Sequence, residues 1–300
     1  MNLLIDALDR TLREPQCARR WHGLMAAWET SADESDRRSV LDALEAGPYD
    51  DVRAEILRLS FLGRASGEPR YEHSATAAVL AATPDDPDRL AAFMAFEWLS
   101  ALQDLGRRSD FIAALAASRV PQMAVRQMGH AVKAMPPGFV PRVPLDIRRV
   151  AVVVPYVGNS LHTPSVMAVE QCAVLARQGL QVRMFSAQEL TPPDAAHFRG
   201  DGRVLKLPPL DAAAWQTILP AGTGMTISDS RFGLTGRWRN MMPALAEFDP
   251  DVVLLVGLYS PLAAALHTVR PTLGISVNTV APIAPLDVWL TGDPRLVGTD

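Results

Sequence analysis

Residues 148–186 read RRVAVVVPYVGNSLHTPSVMAVEQCAVLARQGLQVRMFS, and this stretch decides the fold. The run Val150–Val154 is continuously apolar and rich in valine. It has no polar face to offer water, which is the mark of a strand buried on both sides of a parallel sheet. The polar loop Gly158-Asn-Ser-Leu-His-Thr-Pro-Ser165 follows, then a helical pattern over about 164–178 that Gly179 ends. A second strand is expected over Gln181–Ser186. Strand, helix and parallel strand in that order make a right-handed crossover.

The alternation continues downstream. Strands are expected at Arg203–Leu207 and Met225–Ser228, a helix over Arg237–Phe248 despite Pro243, and a strand over Asp251–Val256. A helix over Pro261–Thr268, a strand over Leu273–Val277 and a last strand over Asp287–Leu290 complete the series. Strands alternating with helices at this spacing predict an open, doubly wound parallel sheet, a Rossmann-like α/β domain over residues 148–300.

Upstream the period changes. PPGFVPRVP (136–144) places four prolines in nine residues, which cannot propagate a helix. Residues 136–147 therefore read as an exposed Pro-rich linker with few contacts, between independently packed domains. Residues 1–135 read as an all-helical domain. Leu4, Leu8 and Leu12 share one helix face, and Trp21, Leu24, Met25 and Trp28 share another. Ser35 before Asp36, with Val40, Leu41 and Leu44, marks a third helix stopped at Gly47-Pro48. Val52, Ile56, Leu59 and Leu62 carry a fourth to Gly63, and segments 74–82, 88–105, 109–118 and 121–134 follow. The helix–turn–helix rhythm has no fixed period, so an irregular helical domain is favoured over a tetratricopeptide-like stack.

Composition bounds the function. The formal net charge is −4, and apolar residues make up 48% against 21% charged. This is an ordinary globular balance with no overall attraction for nucleic acid. Basic residues are nearly all arginine, the lysines being Lys133 and Lys206. Cys17 and Cys172 are too few for a disulfide framework or a cysteine-based zinc site. The opening MNLLIDALDR lacks the basic start and apolar run of a signal peptide, and no segment reaches 18 consecutive apolar residues. A cytoplasmic protein without an integral membrane segment is the expectation.

In open α/β sheets ligands bind beyond the carboxyl ends of the strands. The loop Gly158–Ser165 lies there, before a helix N-terminus that presents free amides. A dinucleotide site would need G-x-G-x-x-G, of which Gly158 alone is present, and no G-x-x-x-x-G-K-[ST] occurs. His162 is the candidate catalytic residue, as general base toward an acceptor hydroxyl or as a sugar or phosphate ligand. The bland reading is that it caps the following helix or packs under it. Gly158, Asn159, Ser160 and Thr163 are candidate substrate contacts on the same loop. Tyr259 and Ser260 in Gly257–Pro261, and Asn278 in Asn278–Pro285, are others, with turn chemistry as the alternative for each. Asp229 and Arg231 are weaker candidates, while Asp287 and Asp293 read as structural. His22, His73, His130 and His267 form no pair at metal-ligand spacing, and no metal site is expected.

Three stretches resemble the N-terminal half of a GT-B-fold glycosyltransferase. RRVAVVVPYVGNSLHTPSVMAVEQCAVLARQGLQVRMFSA (148–187) resembles its opening strand, acceptor loop, long helix and second strand, with Gly179-Leu-Gln-Val182 at the usual Gly-x-x-Val step. MMPALAEFDPDVVLLVGL (241–258) resembles the common helix ending in Phe-Asp-Pro-Asp before an apolar strand. RPTLGISVNTVAPIAPLDVWLTGDP (270–294) more loosely resembles a segment of O-GlcNAc-transferase-like and related bacterial protein glycosyltransferases, in which a helical domain also precedes this half. The resemblance covers residues 148–300. It implies that a hydroxyl or amide nitrogen of a protein or glycan acceptor attacks the anomeric carbon of a nucleotide-sugar donor. It implies no cofactor beyond that donor and no essential metal, because helix N-termini and basic side chains offset the diphosphate charge.

The fold's second, donor-binding lobe is absent from this chain, and an end at Gly298-Thr-Asp300 without a closing helix points to a longer protein. Two other readings stay open. One is a non-catalytic helical adaptor with a degenerate Rossmann-like domain. The other is a bilobal nucleotide-sugar epimerase.

Overall fold

The computed structural model describes residues 3–82, 140–159, 162–190, 212–229, 231–275, 277, 282 and 284–291. They fall into two compact units. The expected strand 203–207 and the helical segments after residue 82 lie outside the described residues.

The first unit contains α1 (Leu3–Arg13), α2 (Ala18–Thr30), α3 (Glu34–Glu45), α4 (Val52–Ser66) and α5 (Pro69–Ala82), with no strand among residues 3–82. Leu4, Leu8, Trp21, Leu24, Met25, Val40, Leu44, Leu57, Phe61 and Leu62 form its core. Leu12 and Val52 remain exposed, each on the solvent side of its helix. The local stops differ from the sequence reading. Asp33, not Ser35, caps α3, accepting from the amides of Ser35 and Asp36. Gly63 stays helical and buried, and α4 ends at Gly67, whose φ of 81° suits the left-handed cap. Arg58 is buried because its guanidinium pairs with Glu55 and donates to the Leu44 carbonyl at 2.7 Å.

The second unit is a six-stranded, all-parallel sheet: β1 (Arg149–Val153), β2 (Gln181–Ser186), β3 (Gly224–Ile227), β4 (Val252–Val256), β5 (Thr272–Ile275) and β6 (Val288–Leu290). The spatial order is β3-β2-β1-β4-β5-β6. This is the Rossmann-like order expected of a doubly wound fold. The helices are α6 (Thr163–Arg177), α7 (Ala212–Ile218), α8 (Leu234–Phe248) and α9 (Pro261–His267). Side chains alternate across β1, and each face has its own cover. Val150 and Val152 pack with Ala168, Val169 and Cys172 of α6 and Trp215 of α7. Phe185, level with Val153 across the β1–β2 register, packs on Phe248 of α8 with ring centroids 5.9 Å apart. Burying β1 from both sides is what its valine run demands.

The amino edge of the sheet is closed by charge. Asp251 accepts from the amides of Arg148 and Arg149 at 2.9 and 2.8 Å and pairs with Arg142 at 2.7 Å. Asp249, in a left-handed conformation with φ 43°, pairs with Arg142, Arg149 and the buried Arg270. Burial alone would raise both carboxyls, but these donors hold them below the usual range. Arg270 also donates to the Val140 carbonyl at 2.6 Å, and the Arg142 amide donates to Val269. Within the expected linker these bonds hold Arg142 and the Val140 carbonyl, while the side chains of Val140, Val143 and Leu145 are exposed. Proline leaves carbonyls without helical partners, and Arg270 takes up that of Val140.

Asp251→Ala should therefore cost about 3 kcal/mol, since it strands two backbone donors and removes one of the two carboxylates that hold Arg142. Urea denaturation would show the lowered midpoint, and trypsin would cut after Arg142 faster in the variant. An unchanged midpoint with unchanged cleavage would contradict this network.

Candidate functional site

From β1 the chain moves to β2 and β3 on one side and later returns to β4 on the other. The switch point therefore lies between the carboxyl ends of β1 and β4, the place where ligands of open α/β sheets bind. The loops after β1, β2 and β4 meet there.

The β1 loop is pinned from below by Ser165, a fully buried residue in the first turn of α6. Its hydroxyl accepts from the Gly158 amide at 3.1 Å and donates to the Tyr156 carbonyl at 3.3 Å. His162 Nδ1 lies 2.6 Å from the same oxygen. A hydroxyl has one proton and two lone pairs, and here Tyr156 takes the proton. Nδ1 is then the donor and Nε2 carries the lone pair, a tautomer assigned from the hydrogen-bond network. The imidazole also packs edge-on against the Tyr156 ring, with centroids 5.1 Å apart. Burial pushes its pKa down to about 4, so the ring is neutral at pH 7. His162 sits at the N-cap position of α6, yet its side chain caps no amide. Gly158 must stay small. A β-carbon there would lie 2.9 Å from the Tyr156 ring and 3.1 Å from His162 Cβ. Its carbonyl accepts from Trp215 Nε1 at 2.5 Å.

The β2 turn contributes residues that sequence reasoning missed. Gln188 adopts φ 52°, unusual for a residue with a side chain, and its buried amide pairs with both backbone groups of Val157 at 2.8 and 3.1 Å. The next amide, of Glu189, donates to the Pro155 carbonyl at 2.6 Å. The Glu189 carboxyl is buried, and its Oε1 accepts from the Leu262 amide at 2.7 Å and Trp238 Nε1 at 3.3 Å. The Ser260 hydroxyl bonds the same carboxyl. Burial raises the Glu189 pKa to about 7 in spite of these donors and the nearby Arg237. Arg237, fully buried on α8, donates to the carbonyls of Gln188 at 2.6 Å and Phe232 at 2.7 Å.

The β4 loop closes against the β1 loop. A β-carbon on Gly257, whose φ is +154°, would stand 2.7 Å from Pro155 Cδ, so this approach requires glycine. Ser260 is the N-cap of α9, accepting from the Ala263 amide at 3.1 Å. Tyr259 is buried beside Glu189, and burial raises its phenol well above the usual value.

No protein-family model matches the chain, and no curated protein is similar to it in sequence.

The sequence candidates thus separate. Gly158, Asn159, His162 and Thr163 sit together at the carboxyl end of β1, with Thr163 exposed and the Asn159 carbonyl accepting from the His162 amide. Tyr259 and Ser260 are buried at the start of α9, where Ser260 does the work of a cap. Ser160, Asn278 and Asp293 lie outside the described residues. Asp229 and Arg231 pair with each other on the surface, and Arg231 holds the Asp229 carboxyl down at about 2. Asp287 accepts from the Thr272 amide at 2.7 Å, a structural role. No cluster of three metal-ligating side chains occurs among the described residues, and no helix there is long and apolar enough to cross a membrane. Gln188 and Glu189 were visible as a polar pair one residue beyond a buried strand. Arg237 carried no signal, because an arginine on a helix reads as solvent-facing.

The depressed pKa of His162 fixes the sign of a pH effect. An unfolded histidine protonates near pH 6.5. The stability contributed by neutral His162 is present above that pH and is lost as pH falls toward about 4. Histidine proton NMR should place its titration near 4, and Ser165→Ala should cost about 1–3 kcal/mol by leaving the Gly158 amide unpaired. A titration midpoint near 6.5 would contradict the buried setting of the ring.

Proposed function

We propose that the α/β unit is the acceptor-side lobe of a nucleotide-sugar-dependent glycosyltransferase, binding its acceptor at the β1–β4 switch point. The observation that carries the reading is the position of His162: on the first loop at the carboxyl edge, its ring neutral and Nδ1 committed to Ser165. The resemblance of residues 148–187, 241–258 and 270–294 to the opening half of GT-B enzymes supplies the chemical class.

In this mechanism the acceptor hydroxyl or amide nitrogen attacks the anomeric carbon, and the nucleotide diphosphate leaves. His162 Nε2 accepts the hydrogen bond of the attacking group and orients its lone pair toward the sugar. A ring with pKa about 4 is a weak base, so orientation is its larger contribution and proton removal the smaller. Its lone pair stays available down to about pH 4, so the acidic limb of the rate profile assigned to it lies near 4 and not near 6.5.

The test is turnover of UDP-, GDP- and dTDP-sugars by the complete gene product, with two substitutions at one position. His162→Asn keeps a polar atom near the Nδ1 position for Ser165 and removes Nε2. His162→Gln places its amide near Nε2 and gives up the Ser165 contact. Asn should fold with little loss of melting temperature but lower turnover by about 10²-fold, within the range for a lost acid–base group. Gln should retain more activity per folded molecule. Full turnover in both variants, or hydrolysis of none of the donors by the wild type, would sink the reading.

A further inference from the structure

We propose that Glu189 is a positioning residue of the β1–β4 edge, a proton-dependent clasp that ties the β1 loop to the first turn of α9. The proposal deepens the functional reading above by adding regulation of the same site, and it rests on that reading only for what that edge binds.

The geometry is specific. The Glu189 backbone amide holds Pro155 at 2.6 Å, on the loop that leads to His162. Its side chain reaches the other way, to Ser260 and to the Leu262 amide at 2.7 Å, while Trp238 of α8 donates from the flank. One residue thus joins the β2 turn, the β1 loop, α8 and α9. All of those donors converge on one side of the carboxyl. Oε2 is fully enclosed and has no hydrogen-bond partner among the described residues. A carboxylate in that setting would leave half of its charge without a donor in a medium that solvates charge poorly. The neutral acid keeps the converging donors and removes the uncompensated charge.

Among the described residues, the titratable groups that face the carboxyl are Arg237 and Tyr259. Arg237 of α8 favours the ionised form, but it directs donors to the carbonyls of Gln188 and Phe232. Tyr259 of the β4 loop stays a neutral phenol. Ser260 and Leu262 of α9 offer uncharged donors, and Gln188 of the β2 turn is engaged with Val157. Burial outweighs the sum of these and brings the Glu189 pKa to about 7. Because the folded value lies above the ordinary one of about 4.3, the stabilisation is full below that pH. It is lost as the pH rises through about 7. Ionisation leaves charge on the enclosed Oε2 without a donor, so the joining of the β1 and β4 loops through Glu189 is less stable above that pH than below it, although the bonds to Oε1 themselves tighten.

Trp238 provides a reporter, since its indole N–H points at Glu189 and the chain has six tryptophans, few enough to resolve. The indole resonances of the full chain labelled with ¹⁵N would be followed from pH 5 to 9, with Trp238→Phe assigning the peak. The Trp238 signal should titrate with a midpoint near 7 in the wild type and stay flat in Glu189→Gln, whose amide keeps an oxygen for the same donors. A flat wild-type signal, or a titration that persists in Glu189→Gln, would overturn the proposal. Should Glu189→Gln fail to fold, Glu189→Asp replaces it and should shift the midpoint; an unchanged midpoint would again overturn the clasp. This readout needs no turnover. A titrating Trp238 in a protein that hydrolyses no nucleotide sugar would sustain the clasp and defeat the glycosyltransferase reading.

Discussion

The carboxyl edge of this sheet depends on one meeting of backbones at Pro155. The Glu189 amide bonds its carbonyl, and Gly257 approaches its ring so closely that no β-carbon fits between them. Three strands of a parallel sheet end here, and each must send its chain away without clashing with its neighbours. Glycine at 257 and a left-handed Gln188 solve that crowding locally. The Gln188 amide then substitutes for a strand partner of Val157, so the β1 loop leaves the sheet in a fixed direction. The placement of Gly158, His162 and Ser165 follows from it.

The two ends of the sheet use charge in opposite ways. The amino edge is a mesh of three arginines and two aspartates, partly open to water, where ionised groups brace the chain entering β1. At the carboxyl edge burial pushes three titratable groups toward their neutral forms, His162 downward and Glu189 and Tyr259 upward, beside the buried cation Arg237.

Much of the fold was legible in the sequence. The valine run of β1, the Gly179 stop and the β2 strand at Gln181–Ser186 emerge as read, because burial on both faces leaves few alternatives for such segments. Helix limits moved by a turn where a cap competed, as at Asp33 and Gly67. The pairing of Arg142 was hidden, since proline-rich composition reports backbone preference and not the distant carboxylates that this side chain meets. The site was legible in part. Loop position could be inferred from strand order, which brought out His162 and Gly158. The Ser260 cap is local, to Ala263, whereas Arg237 as a buried cation and Glu189 as the bridge depend on partners 49 and 73 residues away in the chain. No local pattern encodes such pairings.

The central claim is that the β1 and β4 loops form one ligand-binding edge. Amide hydrogen exchange of the complete gene product tests it most directly, with and without UDP-, GDP- and dTDP-sugars, each paired with peptide or glycan acceptors. The account predicts that at least one pair slows exchange in residues 155–163 and 257–260 together and leaves residues 140–149 and 249–251 unchanged. Protection confined to the amino edge or to residues 3–82, or protection of one loop without the other, would contradict it.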